Sequence, residues 1–398
     1  MTAPHIALGD RSLYPDLQAK AYLAYAATAP VSRLVKAAVG RVLDSYAERG
    51  NVAFFEWLEQ RERLRTKLGR LIGAKAEDIA LSGGTTRGIS DLALCLPWQR
   101  GDRVVLFEGE FPANVSPWQR AAELFGLQLD FVPMANAVAD EESFLKPLEA
   151  LLALGARLVA VSAVQFQTGL LMPLARIGQL CARHGAELCV DAIQACGAVP
   201  LDVEALGIDY LVCGAHKWLL GPEGVGFLYA RPERARSLLP RTAGWLSHQD
   251  GTLFLSQGPG ELRYDRPLKK TLQVLEGGSS STLGFAALEA GLEPLLELTP
   301  AAVFEHISRY LDQLEPAVVA RGLRSRRAAQ SERRSGILSF EPPAGITAAD
   351  IVLQLRTRGV FASMPDGLLR FAPHFPNALS EIETVVDALD ESLGALMA

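Results

Sequence analysis

The stretch ELCVDAIQACGAVPLDVEALGIDYLVCGAHKWLLGPEGVGFLY (187–229) carries four side chains that can do chemistry together: Asp191, Gln194, His216 and Lys217. A lysine amine condenses with carbonyl compounds. A carboxylate holds a proton on a ring nitrogen, and an amide or imidazole hydrogen-bonds polar ligand atoms. Each of these residues taken singly is unspecific: a strand-end aspartate also caps helices, and a lysine after a strand is usually solvated. A second stretch, SGGTTRGISDLAL (82–94), sets a glycine pair and two threonines before an amphipathic helix. Backbone N–H groups at a helix start, helped by hydroxyls, bind a phosphate dianion. The spacing is not that of a P-loop, and no G-x-G-x-x-G follows the first strand, which argues against a dinucleotide.

These residues need elements to position them. DRVVLFEG (102–109), LQLDFVPM (127–134), RLVAVSAV (157–164), ELCVDAI (187–193), DYLVCG (209–214) and VGFLYA (225–230) read as strands. Amphipathic helices such as 115–126 and 173–185 lie between several of them. The alternation predicts an α/β fold with a mostly parallel sheet covered on both faces. The loop around Lys217 is too short for a crossover helix, so the last two strands form an antiparallel hairpin. Strand carboxyl ends gather ligands in such sheets. That rule brings Glu110 and Phe111, Gln165, Asp191 with Gln194, and His216 with Lys217 to one rim. Residues 231–278 are richer in turns, and an α+β pattern follows from about Leu283. The chain therefore divides into a large domain, 22–290, and a small α+β domain made of 1–21 and 291–398.

Composition narrows the function classes. The chain has 398 residues, 49% of them hydrophobic, and a net charge of −6, which is too apolar for disorder and long enough for two domains. The one basic stretch, around Arg324-Ser325-Arg326-Arg327, is too short for a nucleic-acid face. No apolar run reaches membrane-spanning length and no secretory signal is visible at the N-terminus, so neither a membrane nor export is expected. Five cysteines, an odd number with no C-x-x-C pair, argue against a disulfide framework or a zinc site and fit a reducing cytoplasm. No metal is expected.

Together the rim residues ask for a ligand with a phosphate, an aromatic ring, a basic ring nitrogen and an aldehyde. Pyridoxal 5′-phosphate has all four. Lys217 takes the aldehyde, and Asp191 keeps the ring nitrogen protonated, which makes the ring an electron sink. An aromatic side chain stacks on the ring face.

Residues 190–229, with D-x-x-Q and a lysine 23 residues after the glutamine, resemble the cofactor segment of the aminotransferase class V family. That family includes cysteine desulfurases, kynureninases, isopenicillin-N epimerase and serine–pyruvate type aminotransferases. YLAYAATAPVS (22–32), GTTRGI, EGGSSSTLG (276–284) and LLRFAPHFPNALSEIE (368–383) are similar to its other motifs. The resemblance implies a fold type I enzyme of pyridoxal phosphate acting on an amino acid. Lys217 would hold the cofactor and shuttle the Cα proton. Asp191 would pair with the ring nitrogen, Gln194 with the phenolic oxygen, and His216 would lie beside the phosphate. Thr85 and Thr86 would cradle the phosphate, Ser279 of a partner chain would close it, and Arg370 would clamp the substrate carboxylate. Gln165 is a further candidate that reads equally as a buried amide. A homodimer with a shared site follows.

Three departures limit the analogy. GVFASMPDGLLRF (359–371) has no cysteine where desulfurases carry their nucleophile. Phe111 in EFPAN stands where desulfurases stack a histidine, as in kynureninases. Gly214 replaces a serine near the phosphate. The expected reaction is a lyase step that breaks a bond at Cβ. Transamination, epimerisation and a non-catalytic cofactor-binding partner remain as alternatives.

Overall fold

The computed structural model describes residues 6–397; Met1–His5, part of the segment assigned to the small domain, and Ala398 lie outside the described residues. In chain order the elements are β1 (Ala21–Tyr22), α1 (Arg33–Arg49), α2 (Ala53–Ile72), β2 (Ile79–Ser82), α3 (Thr85–Cys95), β3 (Arg103–Phe107), α4 (Ser116–Phe125) and β4 (Gln128–Val132). Then come α5 (Glu142–Ala153), β5 (Ala156–Ser162), α6 (Leu174–His184), β6 (Glu187–Asp191), β7 (Tyr210–Gly214), β8 (Gly226–Ala230) and α7 (Pro232–Ser237). The C-terminal part holds α8 (Thr282–Leu298), α9 (Pro300–Val319), β9 (Arg324–Ser325), β10 (Leu338–Glu341), α10 (Ala348–Thr357), β11 (Val360–Phe361), β12 (Leu369–Phe371) and α11 (Ile382–Met397).

All six strand runs read from the sequence become strands of one seven-stranded sheet, ordered β2-β8-β7-β6-β5-β3-β4. The pairs from β7 through β4 are parallel, and β8 runs antiparallel to both β7 and β2. The hairpin expected around Lys217 is therefore present, with Tyr210 opposite Ala230 and Gly214 opposite Gly226. The seventh strand, β2, was not read from the sequence. It has four residues, IALS, all buried. A run that short shows no periodicity, and the glycine pair after it reads as a loop.

Alternate strand residues enter two apolar layers. Val105, Phe107, Val159, Val161, Leu188 and Val190 face one side, while Val104, Leu106, Leu158, Ala160 and Cys189 face the other. The second layer is covered by α3 and α4 through Ile89, Leu92, Trp118 and Ala121. The first layer runs on without a break into the C-terminal part, where Leu338, Phe340, Leu355, Leu369 and Phe371 join it. There β12, β10 and β9 form a three-stranded antiparallel sheet. Residue 290, the proposed domain division, lies inside α8. Among the described residues no helix is long and apolar enough to cross a membrane.

One close approach sets how α3 packs on the sheet. A Cβ added to Gly88 would sit 2.5 Å from Val212 Cγ1 and 3.0 Å from Leu228 Cδ1. The helix can therefore lie flat against β7 and β8 only with glycine there. Gly88→Val is expected to cost about 1–3 kcal/mol through overpacking, read as a lower urea midpoint with unchanged slope. A wild-type midpoint would contradict the close packing.

Candidate active site

A cavity of about 610 Å³ opens at the carboxyl ends of β6 and β7. Its wall includes Thr85, Thr86, Phe111, Asp191, Gln194, His216, Lys217 and Arg370, so eight of the residues singled out from the sequence meet in one place. Asp191 ends β6 and Lys217 stands three residues beyond β7. The adjacent strands bring the two together across 25 residues of intervening chain.

Lys217 sits on a turn closed by the Leu220 N–H donating to its carbonyl at 3.1 Å, with Leu220 in the left-handed region at φ 60°. The side chain is 9% exposed. Burial pulls its amine down to about 8, against the pull of Asp191 and with Arg370 pushing the same way. At pH 7 the fraction of free amine is then about 300-fold larger than for a lysine at 10.5. An amine must be neutral to attack an aldehyde.

Asp191 is 2% exposed. Burial raises its carboxyl to about 6, while the Ile193 N–H, donating to Oδ1 at 3.0 Å, and Lys217 pull it back. Oδ2 accepts no hydrogen bond from the described residues and is free for a protonated ring nitrogen. The Phe111 ring centroid lies 5.6 Å from Lys217 Nζ and meets Phe166 edge-on at 5.3 Å.

The phosphate cradle is built by Gly84 and α3. Gly84 takes φ 113° and no side chain caps the helix, so the first-turn N–H groups remain free for an anion. Thr85 Oγ1 accepts the Gly214 N–H at 2.9 Å and keeps its own proton to donate. A Cβ at Gly214 would lie 3.1 Å from Ile193 Cδ1 and 3.2 Å from Thr85 Oγ1. Both contacts are tighter than usual for a Cβ, so a larger residue at 214 would require Ile193 or Thr85 to shift by a few tenths of an ångström. His216, whose imidazole is lowered by burial and then by Lys217, also lines the cavity.

Arg370 on β12 reaches the cavity from the C-terminal sheet. It is 4% exposed and donates from Nη1 to the Phe166 carbonyl at 2.6 Å and from Nε to Ser363 Oγ at 3.0 Å. Burial lowers its guanidinium to about 10. Among the described residues no carboxylate pairs with it. A buried, unpaired cation is costly, and an incoming carboxylate relieves that cost.

Two of the singled-out residues lie elsewhere. Gln165 is buried and does not line the cavity, its amide nitrogen 3.5 Å from Glu110 Oε1. Ser279 is exposed and outside the cavity of its own protomer. The neighbour Phe166 lines the cavity in Gln165's stead, on a turn over 166–168 that the Gly169 N–H closes by donating to the Gln165 carbonyl at 2.9 Å. Glu110 was read at the rim but given no role. It accepts from the Ser162 N–H at 2.7 Å, from the Ser162 hydroxyl and from Asn114 Nδ2 at 3.2 Å. Burial raises it to about 7, against these donors and with Asp191 adding to the rise. Its network anchors the short turn that carries Phe111. Among the described residues no cluster of three or more His, Cys, Asp or Glu could hold a metal.

The Aminotransferase class-V family model matches residues 21–367. The chain belongs to this family. It is 25% identical over 379 residues to an uncharacterized aminotransferase, YcbU, of Bacillus subtilis, covering 95% of this chain and 96% of that one. It is 28% identical over 330 residues to a probable cysteine desulfurase of Chlamydia trachomatis, covering 81% and 76%. The solved structure of a C-DES mutant with glycine covalently linked to its PLP cofactor superposes with a TM-score of 0.86 at 23% identity, covering 96% of this chain and 98% of that one. The fold is thus that of the pyridoxal phosphate enzymes of fold type I. The class-V chain described here is a pyridoxal 5′-phosphate enzyme, and the cavity fits that cofactor: a neutralisable lysine, an open carboxylate oxygen and an uncapped helix start all face it.

Uptake of pyridoxal phosphate by the apoprotein, followed as visible absorbance, is expected to quicken with pH and level off above about 8, as Lys217 loses its proton. A rate still climbing towards 10.5 would place the reacting amine in water rather than in the cavity.

Proposed function

We propose that the enzyme takes a small α-amino acid and breaks a bond at its Cβ, as a lyase. The observation that carries the substrate class is buried Arg370, a guanidinium without an acidic partner in the same cavity as Lys217. It would take the substrate α-carboxylate through its free Nη2. Bound pyridoxal phosphate supplies the carbonyl that takes the substrate amine and the ring that stores the electron pair left at Cα. Asp191 holds the proton on the ring nitrogen, Gln194 offers an N–H to the phenolic oxygen, and Thr85 and Thr86 with the first turn of α3 hold the phosphate, with His216 alongside. Phe111 would stack on the ring face and has no proton to give or take. Lys217 would remove the Cα proton, and its ammonium form would be placed to give that proton to the departing group.

The preference for a lyase over a persulfide-carrying desulfurase rests on the cysteines. All five are free and buried, and none lines the cavity. A sulfur or other leaving group therefore departs with no protein thiol to receive it. Transamination is the second reading. It needs no group beyond Lys217, and the B. subtilis relative bears the name aminotransferase. Epimerisation is a third.

Ser279 supports a homodimer. It lies three residues after Glu276, which the buried Arg65 grips at 2.7 and 2.6 Å, and it is exposed rather than lining its own protomer's cavity. In a dimer it would complete the partner's phosphate site. The buried free thiols support a reducing, cytoplasmic setting.

An amino-acid panel separates the reactions. A lyase releases ammonia and pyruvate or another keto acid together with the leaving group and leaves the visible absorbance intact. Stoichiometric pyridoxamine phosphate, reversed by a keto acid, would overturn the lyase preference. Arg370→Ala is expected to raise KM roughly 100-fold, with cofactor absorbance unchanged.

A further inference from the structure

Gln194 is the cavity residue with the most determined surroundings. Its Oε1 accepts the Trp218 indole N–H at 2.9 Å, and its Nε2 donates to the Ala26 carbonyl at 3.0 Å. An amide nitrogen has two protons, so one remains for the cavity that Gln194 lines. Trp218 is the residue after Lys217 and is fully buried. Its backbone carbonyl lies 3.0 Å from His374 Nε2. The Phe375 N–H donates to His374 Nδ1 at 2.7 Å, which leaves that nitrogen without a proton. His374 is therefore neutral with its proton on Nε2, donating to Trp218. Burial lowers its imidazole to about 4, in keeping with that state. The His374 ring is wedged between Trp218, at 5.6 Å, and Tyr25, at 5.1 Å, and the backbone N–H of His374 donates to Asn377 Oδ1 at 2.8 Å.

We propose that Trp218 and His374 are positioning residues, forming a one-directional relay of hydrogen bonds that fixes the Gln194 amide at the cavity wall. Each donor in the relay has one acceptor. The indole N–H can only donate, so the amide oxygen must face Trp218 and the amide nitrogen must face Ala26 and the cavity. Without the indole donor the amide could turn over and present its oxygen, an acceptor, to the ligand. The relay also ties the Lys217 turn to the segment that follows Arg370, four residues before His374. The inference rests on the proposed role of Gln194 towards the cofactor.

The test uses the holoprotein: wild type, Trp218→Phe, Gln194→Met and the double variant. Phenylalanine keeps an aromatic ring and removes the donor. The readouts are the pH midpoint of the bound cofactor's visible absorbance and the cofactor dissociation constant. Trp218→Phe is expected to move the midpoint by about 0.5–1 unit and to weaken retention about fivefold, the size of one hydrogen bond. In the Gln194→Met background the same change is expected to add nothing, because both act through one amide. His374→Leu enters the relay from its other end and is expected to reproduce the shift, whereas His374→Gln, which keeps a donor and an acceptor, stays near wild type. An unchanged midpoint in Trp218→Phe or His374→Leu overturns the relay, as does an equal shift in both backgrounds, which would assign Trp218 to packing alone. A wild type that never develops visible absorbance removes the role of Gln194 itself.

Discussion

Burial works against both charges at the centre of the cavity, and the rest of the site follows from that. Asp191 is raised to about 6 and Lys217 lowered to about 8, each moved towards its neutral form by loss of water. Their mutual attraction only partly offsets the loss. For Asp191 the folded chain holds its proton more tightly than the unfolded chain. Its contribution to stability is thus present below 3.8 and lost as pH rises through about 6. For Lys217 the folded chain holds its proton less tightly. Its contribution is present above 10.5 and lost as pH falls through about 8. Near neutral pH both groups therefore weigh against the empty fold. A ligand that bonds to the amine and sets a positive ring nitrogen beside the carboxylate removes both costs at once. Strain of this kind belongs at a binding site.

The sheet makes that arrangement inevitable once its strand order is set. Parallel β6 and β7 end side by side, so residues just beyond them share a rim. The antiparallel β8 returns the chain without a helix, which leaves the Lys217 turn uncovered on the cavity side. Arg370 comes from the other sheet and is steadied by the Phe166 carbonyl, which links the two halves through the cavity wall. Glu110 does similar work beneath Phe111. The Phe111 ring is thereby carried on a hydrogen-bonded base.

Much of this was legible from residue types. The buried parallel strands are unbroken apolar runs, and the hairpin announces itself through a short loop. Asp191, Gln194 and Lys217 are recognisable because their spacing spans a strand, a crossover and a turn. Other features were hidden for physical reasons. β2 is too short for any period to show. Gln165 and Phe166 are adjacent, and which of them lines the cavity is set by the turn over 166–168, which no strand or helix period announces. Arg370 could be named from its motif, yet its lack of an acidic partner is a fact of three-dimensional packing. The continuous apolar layer that joins the two halves, and the passage of α8 through residue 290, likewise depend on contacts far apart in the chain.

The central claim is that one amine, Lys217, captures the vitamin B6 aldehyde. Incubation of the protein with pyridoxal phosphate, reduction with borohydride and mass mapping of the digested chain test it directly. The account predicts a single phosphopyridoxyl group, on the peptide containing Lys217. Label spread over surface lysines, with Lys217 unmodified, would contradict it.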